Sequence, residues 1–172
     1  DVAYLCSAQP RALAAVYVNA FSAGRYGVHY RDESTQSVLR FSEHPTLCIR
    51  GSNSGVSGAG ASTTGSYAAT ASGAAPPVWA SSHHPSLGFL AYLLSGRWYF
   101  LEQMQFIASL NFLKQDNARR GDSAGVFRTN SGSNTTRGAA WALRTLAQAA
   151  CITPDDQSVL RDEFVASIDA ND

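Results

Sequence analysis

The chain has 172 residues, 45% of them hydrophobic and 15% charged, a composition that builds a packed core and excludes an intrinsically disordered protein. Folding at this length buries roughly 70% of the unfolded chain's surface, which fits one domain over residues 1–172. A formal net charge of zero gives no global attraction to nucleic acid or to an anionic membrane, and no apolar stretch is long enough to span a bilayer.

In chain order, the first helical signal runs to Ser7, and Pro10 stands where the first position of a second helix tolerates proline. A long connection over residues 25–85 follows. Its Gly/Ser/Ala/Thr-rich tract at 51–75 buries too little apolar surface to order itself, so residues 45–78 read as a flexible insertion, with a short hairpin expected at 46–50. Residues 97–114 carry one apolar stripe at Trp98, Leu101, Met104, Ala108 and Phe112 and another at Phe100, Ile107 and Leu110. Only Glu102, Gln105 and Ser109 form a polar strip, which predicts a helix packed on more than one side, with Trp98 in the core.

After a second long connection at 115–134, residues 135–150 predict an Ala-rich helix that packs through Ala139, Leu143, Leu146, Ala147 and Ala150. Its opposite face carries Arg137, Trp141, Arg144 and Gln148 at spacings of four, three and four. Thr153-Pro154-Asp155-Asp156 then places a capping hydroxyl, a first-position proline and two carboxylates at the start of a last helix.

An internal repeat ties these elements together. Ala3-Tyr4-Leu5-Cys6-Ser7, Leu13 and Ala20 match Ala91-Tyr92-Leu93-Leu94-Ser95, Leu101 and Ala108 at a constant offset of 88, and residues 149–154 form a looser third copy. Each copy reads as a helix, a short turn and a departing helix, so the prediction is an all-α chain of stacked helical hairpins. Cys6, Cys48 and Cys151 are too few and too widely spaced for a zinc knuckle, a CxxC pair or a disulfide framework.

The runs His83-His84-Pro85-Ser86-Leu87-Gly88-Phe89-Leu90-Ala91-Tyr92-Leu93-Leu94-Ser95-Gly96-Arg97 and Arg137-Gly138-Ala139-Ala140-Trp141-Ala142-Leu143-Arg144-Thr145-Leu146-Ala147 resemble paired helices of six-hairpin α/α toroid proteins. That group includes polysaccharide lyases and many glycoside hydrolases. The resemblance is one of architecture. It implies part of an (α/α) toroid with a long irregular insertion, completed by the remaining helices of a longer chain or by a homo-oligomer, with the substrate cleft formed by the long connections.

Those connections hold His29-Tyr30-Arg31-Asp32-Glu33, His44, Trp79, His83-His84, Arg119, Arg120 and Arg128. With Arg137 they contain eight arginines against Asp32, Glu33, Glu43, Asp116 and Asp122, a local positive excess suited to an acidic oligo- or polysaccharide. Twelve of the thirteen basic residues are arginine, which a genome rich in Arg codons also explains.

For β-elimination the candidate catalytic residues are Arg31 (or Arg137), to neutralise the uronate carboxylate, His84, as the base, and Tyr30, as the acid. His84 precedes Pro85 and is expected at a helix N-cap, where an imidazolium is disfavoured. His29, His83, Trp79, Arg137 and Trp141 are the candidate substrate-binding residues; Trp141 serves equally as the platform of a cation–π ladder with its arginine neighbours. One alternative is a glycoside hydrolase of the same architecture, which needs two opposed carboxylates about 5–10 Å apart. A non-catalytic scaffold or carbohydrate-binding fragment is the other. No histidine pair has helical metal-ligand spacing, so neither metal nor other cofactor is expected, and an extracellular or periplasmic location follows from the polysaccharide alone.

Overall fold

The helices begin and end close to where proline and the repeated serine place them. The computed structural model describes residues 1–45, 47–49, 63–64, 79, 81–84, 86–115, 120–121, 123–126 and 135–172. Among these are six α-helices: α1 (Val2–Ser7), α2 (Pro10–Ser22), α3 (Phe89–Ser95), α4 (Trp98–Leu113), α5 (Thr136–Ile152) and α6 (Ser158–Asp169). Each packs on the next in sequence, so α1–α2, α3–α4 and α5–α6 form three successive hairpins in an all-α fold.

A two-residue parallel pairing joins Cys48–Ile49 to Thr63–Thr64, with Cys48 opposite Thr63. Strands paired in parallel over that separation are not the local hairpin expected at 46–50; positions 46 and 50 themselves, like most of the expected insertion at 45–78, lie outside the described residues.

The sequence repeat is also a repeat of structure. Ser7 Oγ donates to Ala3 O at 2.5 Å and Ser95 Oγ donates to Ala91 O at 2.6 Å. The same hydroxyls accept the backbone N–H of Gln9 and of Arg97, both at 3.3 Å, and so turn the chain into the second helix of each hairpin. Between them Ala8 (φ 51°) and Gly96 (φ 63°) adopt the left-handed conformation and return their N–H to Tyr4 O and Tyr92 O. This is the left-handed helix stop that a short turn requires. The third copy departs from it because Pro154 cannot enter that region: Thr153, extended at φ −69°, ends α5, and its hydroxyl donates back to Ala149 O. Thr153 therefore does not cap the following helix. Asp155–Gln157 form a 3₁₀ turn after Pro154, and α6 starts at Ser158.

α4 is the central helix. From Phe100 to Leu113 every residue but Glu102 is buried, because α3, α5 and the segment before residue 50 cover it on different sides. The apolar stripes are placed as predicted, but the polar strip is not solvated. Gln105 and Ser109 are buried, while Trp98, expected in the core, is 51% exposed. As the first residue of α4, Trp98 projects beyond the packed layer. Two of the buried amides bond to other elements: Gln105 Nε2 donates to Gln157 Oε1 at 2.6 Å and to Thr153 Oγ1 at 3.2 Å, and Asn111 Oδ1 accepts from Trp79 Nε1 at 3.0 Å, whereas Gln103 Nε2 and Ser109 Oγ are buried without a hydrogen-bond partner among the described residues. Truncating a side chain such as Phe100, which rests on Tyr17 and Phe21, is expected to cost about 3–5 kcal/mol.

α5 is turned from its predicted orientation. Gly138, Ala142, Thr145, Leu146, Ala149 and Ala150 are buried, whereas Ala147 is exposed and Ala139 and Leu143 are half-buried. The small residues choose the face: a Cβ on Gly138 would stand 3.4 Å from Ser82 Cβ, and the Thr145 hydroxyl is satisfied by Trp141 O at 2.9 Å. Thr135 caps the helix, its Oγ1 accepting from Gly138 N at 3.1 Å.

Candidate functional site

A cleft of about 360 Å³ opens between the irregular segment at 31–43, the first two turns of α4 and the start of α6. Its size falls in the range of small-molecule sites, about 300–1,000 Å³.

The irregular wall is held in shape by Asp32. Its Oδ1 accepts from Ser34 N and Thr35 N, both at 2.9 Å, and from the hydroxyls of Ser34 and Thr35 at 2.5 and 3.1 Å. This is the side-chain turn that short polar residues form. These bonds, the Ser34 hydroxyl foremost, lower the Asp32 pKa from 3.8 to about 2. Gln36 takes a left-handed conformation at φ 58°, and an antiparallel bridge between Arg31 and Val38 closes the turn.

Arg31 joins this wall to α4. Its Nη2 lies 2.7 Å from Glu102 Oε2, its Nη1 donates to Gln36 O at 2.8 Å, and its guanidinium stands 4.9 Å from the centre of the Phe106 ring. Arg40 joins the wall to α6: Nη1 meets Glu43 Oε1 at 2.6 Å and Nε meets Glu163 Oε2 at 3.2 Å. Glu163 also accepts from Phe41 N at 3.0 Å and from the Ser42 hydroxyl. Burial raises the Glu163 pKa above its usual value, against the lowering effects of Ser42, Arg40 and the backbone. Trp98 stands on the α4 side with Glu102 and Gln105, and Asp156 and Gln157 face them from the start of α6.

Of the residues expected to act, only Arg31 lines this cleft. Tyr30 is half-buried and packs against the main core. His84 lies in an aromatic cluster, stacked on Trp79 at 4.9 Å and edge-on to Tyr26 at 4.7 Å. The N-cap of α3 is Gly88, four residues beyond it, so His84 does not sit at a helix N-terminus. Trp79 is 1% exposed and offers no face to a ligand.

His29 lies beside Arg31 over Phe106, with its Nε2 2.8 Å from Gln103 Oε1. His83 is exposed, and so is Arg137, on the first turn of α5. Trp141 is half-buried with the Arg144 guanidinium 5.5 Å over its ring, one contact of the cation–π ladder. His44 Nε2 is 3.7 Å from Asp32 Oδ2. Arg120, expected to face an acidic polymer, is fully buried and donates to the carbonyls of His44, Pro45, Leu47 and Gln115. Arg119, Arg128, Asp116 and Asp122 lie outside the described residues.

The cleft residues that sequence reasoning missed are Trp98, Glu102, Gln105, Arg40, Asp156 and Gln157. A signal was present: 98, 102 and 105 are spaced by four and three, so the polar strip of α4 continues into Trp98 on one face. Among the described residues no three His, Cys, Asp or Glu side chains gather as a metal site, and no helix is long and apolar enough to cross a membrane. The chain matches no protein-family model, no curated protein and no solved structure.

Proposed function

We propose that the chain is a saccharide-binding section of an α/α hairpin assembly, with its ligand seated on Trp98 in the cleft between α4, α6 and residues 31–43. The observation that carries this reading is the pairing of one half-exposed indole with walls of planar polar side chains: Arg31, Gln36, Glu102 and Gln157. A pyranose has the complementary anatomy. Its C–H face packs on an aromatic ring, and its rim of hydroxyls both donates and accepts, as carboxylates, amides and guanidiniums require. Three consecutive hairpins agree with the toroid resemblance, in which six such pairs close a ring.

Binding is preferred to β-elimination because the acid and base of that chemistry, Tyr30 and His84, do not line the cleft that holds Arg31. Calorimetric titration with neutral, uronic and amino oligosaccharides tests the proposal. At least one class is expected to bind, and Trp98→Ala is expected to weaken it by about tenfold or more with the helical circular dichroism unchanged. Binding that survives Trp98→Ala, or no binding in any class, contradicts it.

A further inference from the structure

We infer that the saccharide taken by this cleft carries a positive charge, as an amino sugar does. The inference rests on the saccharide reading and specifies its ligand. Two guanidiniums, Arg31 and Arg40, line the cleft against three carboxylates, Glu43, Glu102 and Asp156.

Both guanidiniums are already engaged by protein carboxylates, Arg31 by Glu102 and Arg40 by Glu43 and Glu163. A uronate would have to displace one of these partners and leave it uncompensated beside the new anion, the like-charge arrangement by which sites reject wrong ligands. Asp156 differs from the other two acids. It is exposed and makes no ion pair among the described residues, while its neighbour Asp155 is taken by Arg161. It stands beside Gln157, whose amide oxygen is fixed by Gln105 at 2.6 Å. A ligand ammonium near Asp156 therefore gains a carboxylate that no guanidinium among the described residues already neutralises.

The test compares a glucosamine tetrasaccharide with its N-acetylated counterpart, which has the same ring and no charge, and with a uronic tetrasaccharide. The amino form is expected to bind the intact chain most tightly, and to lose that advantage as the pH is raised through the titration of its amines. Asp156→Asn is expected to weaken the amino form about three- to fivefold relative to the N-acetylated form, the size a partly exposed ion pair supports. Equal binding of amino and N-acetylated forms, or tighter binding of the uronic form, overturns the charge inference and leaves the saccharide reading standing. Failure of all three to bind overturns both.

Discussion

Arg31 Nη2 lies 2.7 Å from Glu102 Oε2, and this contact joins a wall without regular structure to the most deeply buried helix of the protein. Both side chains are partly exposed, so solvent screens the pair. A double-mutant cycle on Arg31→Ala and Glu102→Ala is expected to give a coupling of about 0.5–1 kcal/mol in urea unfolding, smaller at high salt. Zero coupling would mean that the wall is held by Asp32 and Arg40 alone.

The hairpin turns make a prediction with an internal control. Ala8 and Gly96 occupy equivalent left-handed positions, and a Cβ there costs roughly 1–2 kcal/mol. Ala8→Gly is expected to raise stability and Gly96→Ala to lower it, each by about 1 kcal/mol, in thermal or urea unfolding. A Gly96→Ala protein as stable as the parent contradicts the left-handed assignment, since nothing lies within 4 Å of the added methyl to offset the strain.

Glu163 and Asp32 give pH dependences of opposite sign. Burial raises the folded pKa of Glu163 above 4.5, so the folded state binds that proton more tightly. Its contribution to stability is present at low pH and is lost as the pH rises through the folded value. Asp32, lowered to about 2, contributes stability above 3.8 that is lost as the pH falls toward 2. The difference in unfolding free energy between the parent and Glu163→Gln is therefore expected to slope downward with pH above 4.5, and a pH-independent difference contradicts this. Glu163→Ala, which leaves the buried Phe41 N–H without its acceptor while Arg40 keeps Glu43, is expected to cost about 1–3 kcal/mol.

The reach of the sequence followed the range of the interactions. Helix ends were legible at Pro10, Ser7 and Ser95, where a local rule sets them, though not at Thr153, whose hydroxyl turns back to α5, and the repeat at an offset of 88 residues located two hairpin turns that coincide hydrogen bond for hydrogen bond. What failed was any inference about which side of a helix meets solvent at its end. Trp98 shares the periodicity of the α4 core, yet it is half-exposed while Phe100 and Leu101 of the same turn are buried, and only the position of α6 and of residues 31–43 makes its side of that turn a cleft wall. Arg120 failed for the opposite reason. Its carbonyl partners at 44, 45 and 47 are more than seventy residues away, and no local pattern distinguishes it from a surface arginine. His84 looked like an N-cap because proline follows it; Gly88, at φ 113°, is where the helix begins.

Because His84 belongs to the Tyr26–Trp79 cluster and not to the cleft, His84→Ala is expected to lower stability while leaving saccharide affinity within about twofold, as distant sites act independently. Loss of binding in a folded His84→Ala protein would return the site to the long connection at 25–85.

The most direct test is the indole region of a proton–nitrogen correlation spectrum during saccharide titration, with the three tryptophan signals assigned by Trp→Phe substitution. Trp98 is expected to shift progressively with ligand, while Trp79, buried and hydrogen-bonded to Asn111, stays in place. Movement of Trp141 with Trp98 unmoved would contradict the cleft and transfer the site to the exposed face of α5.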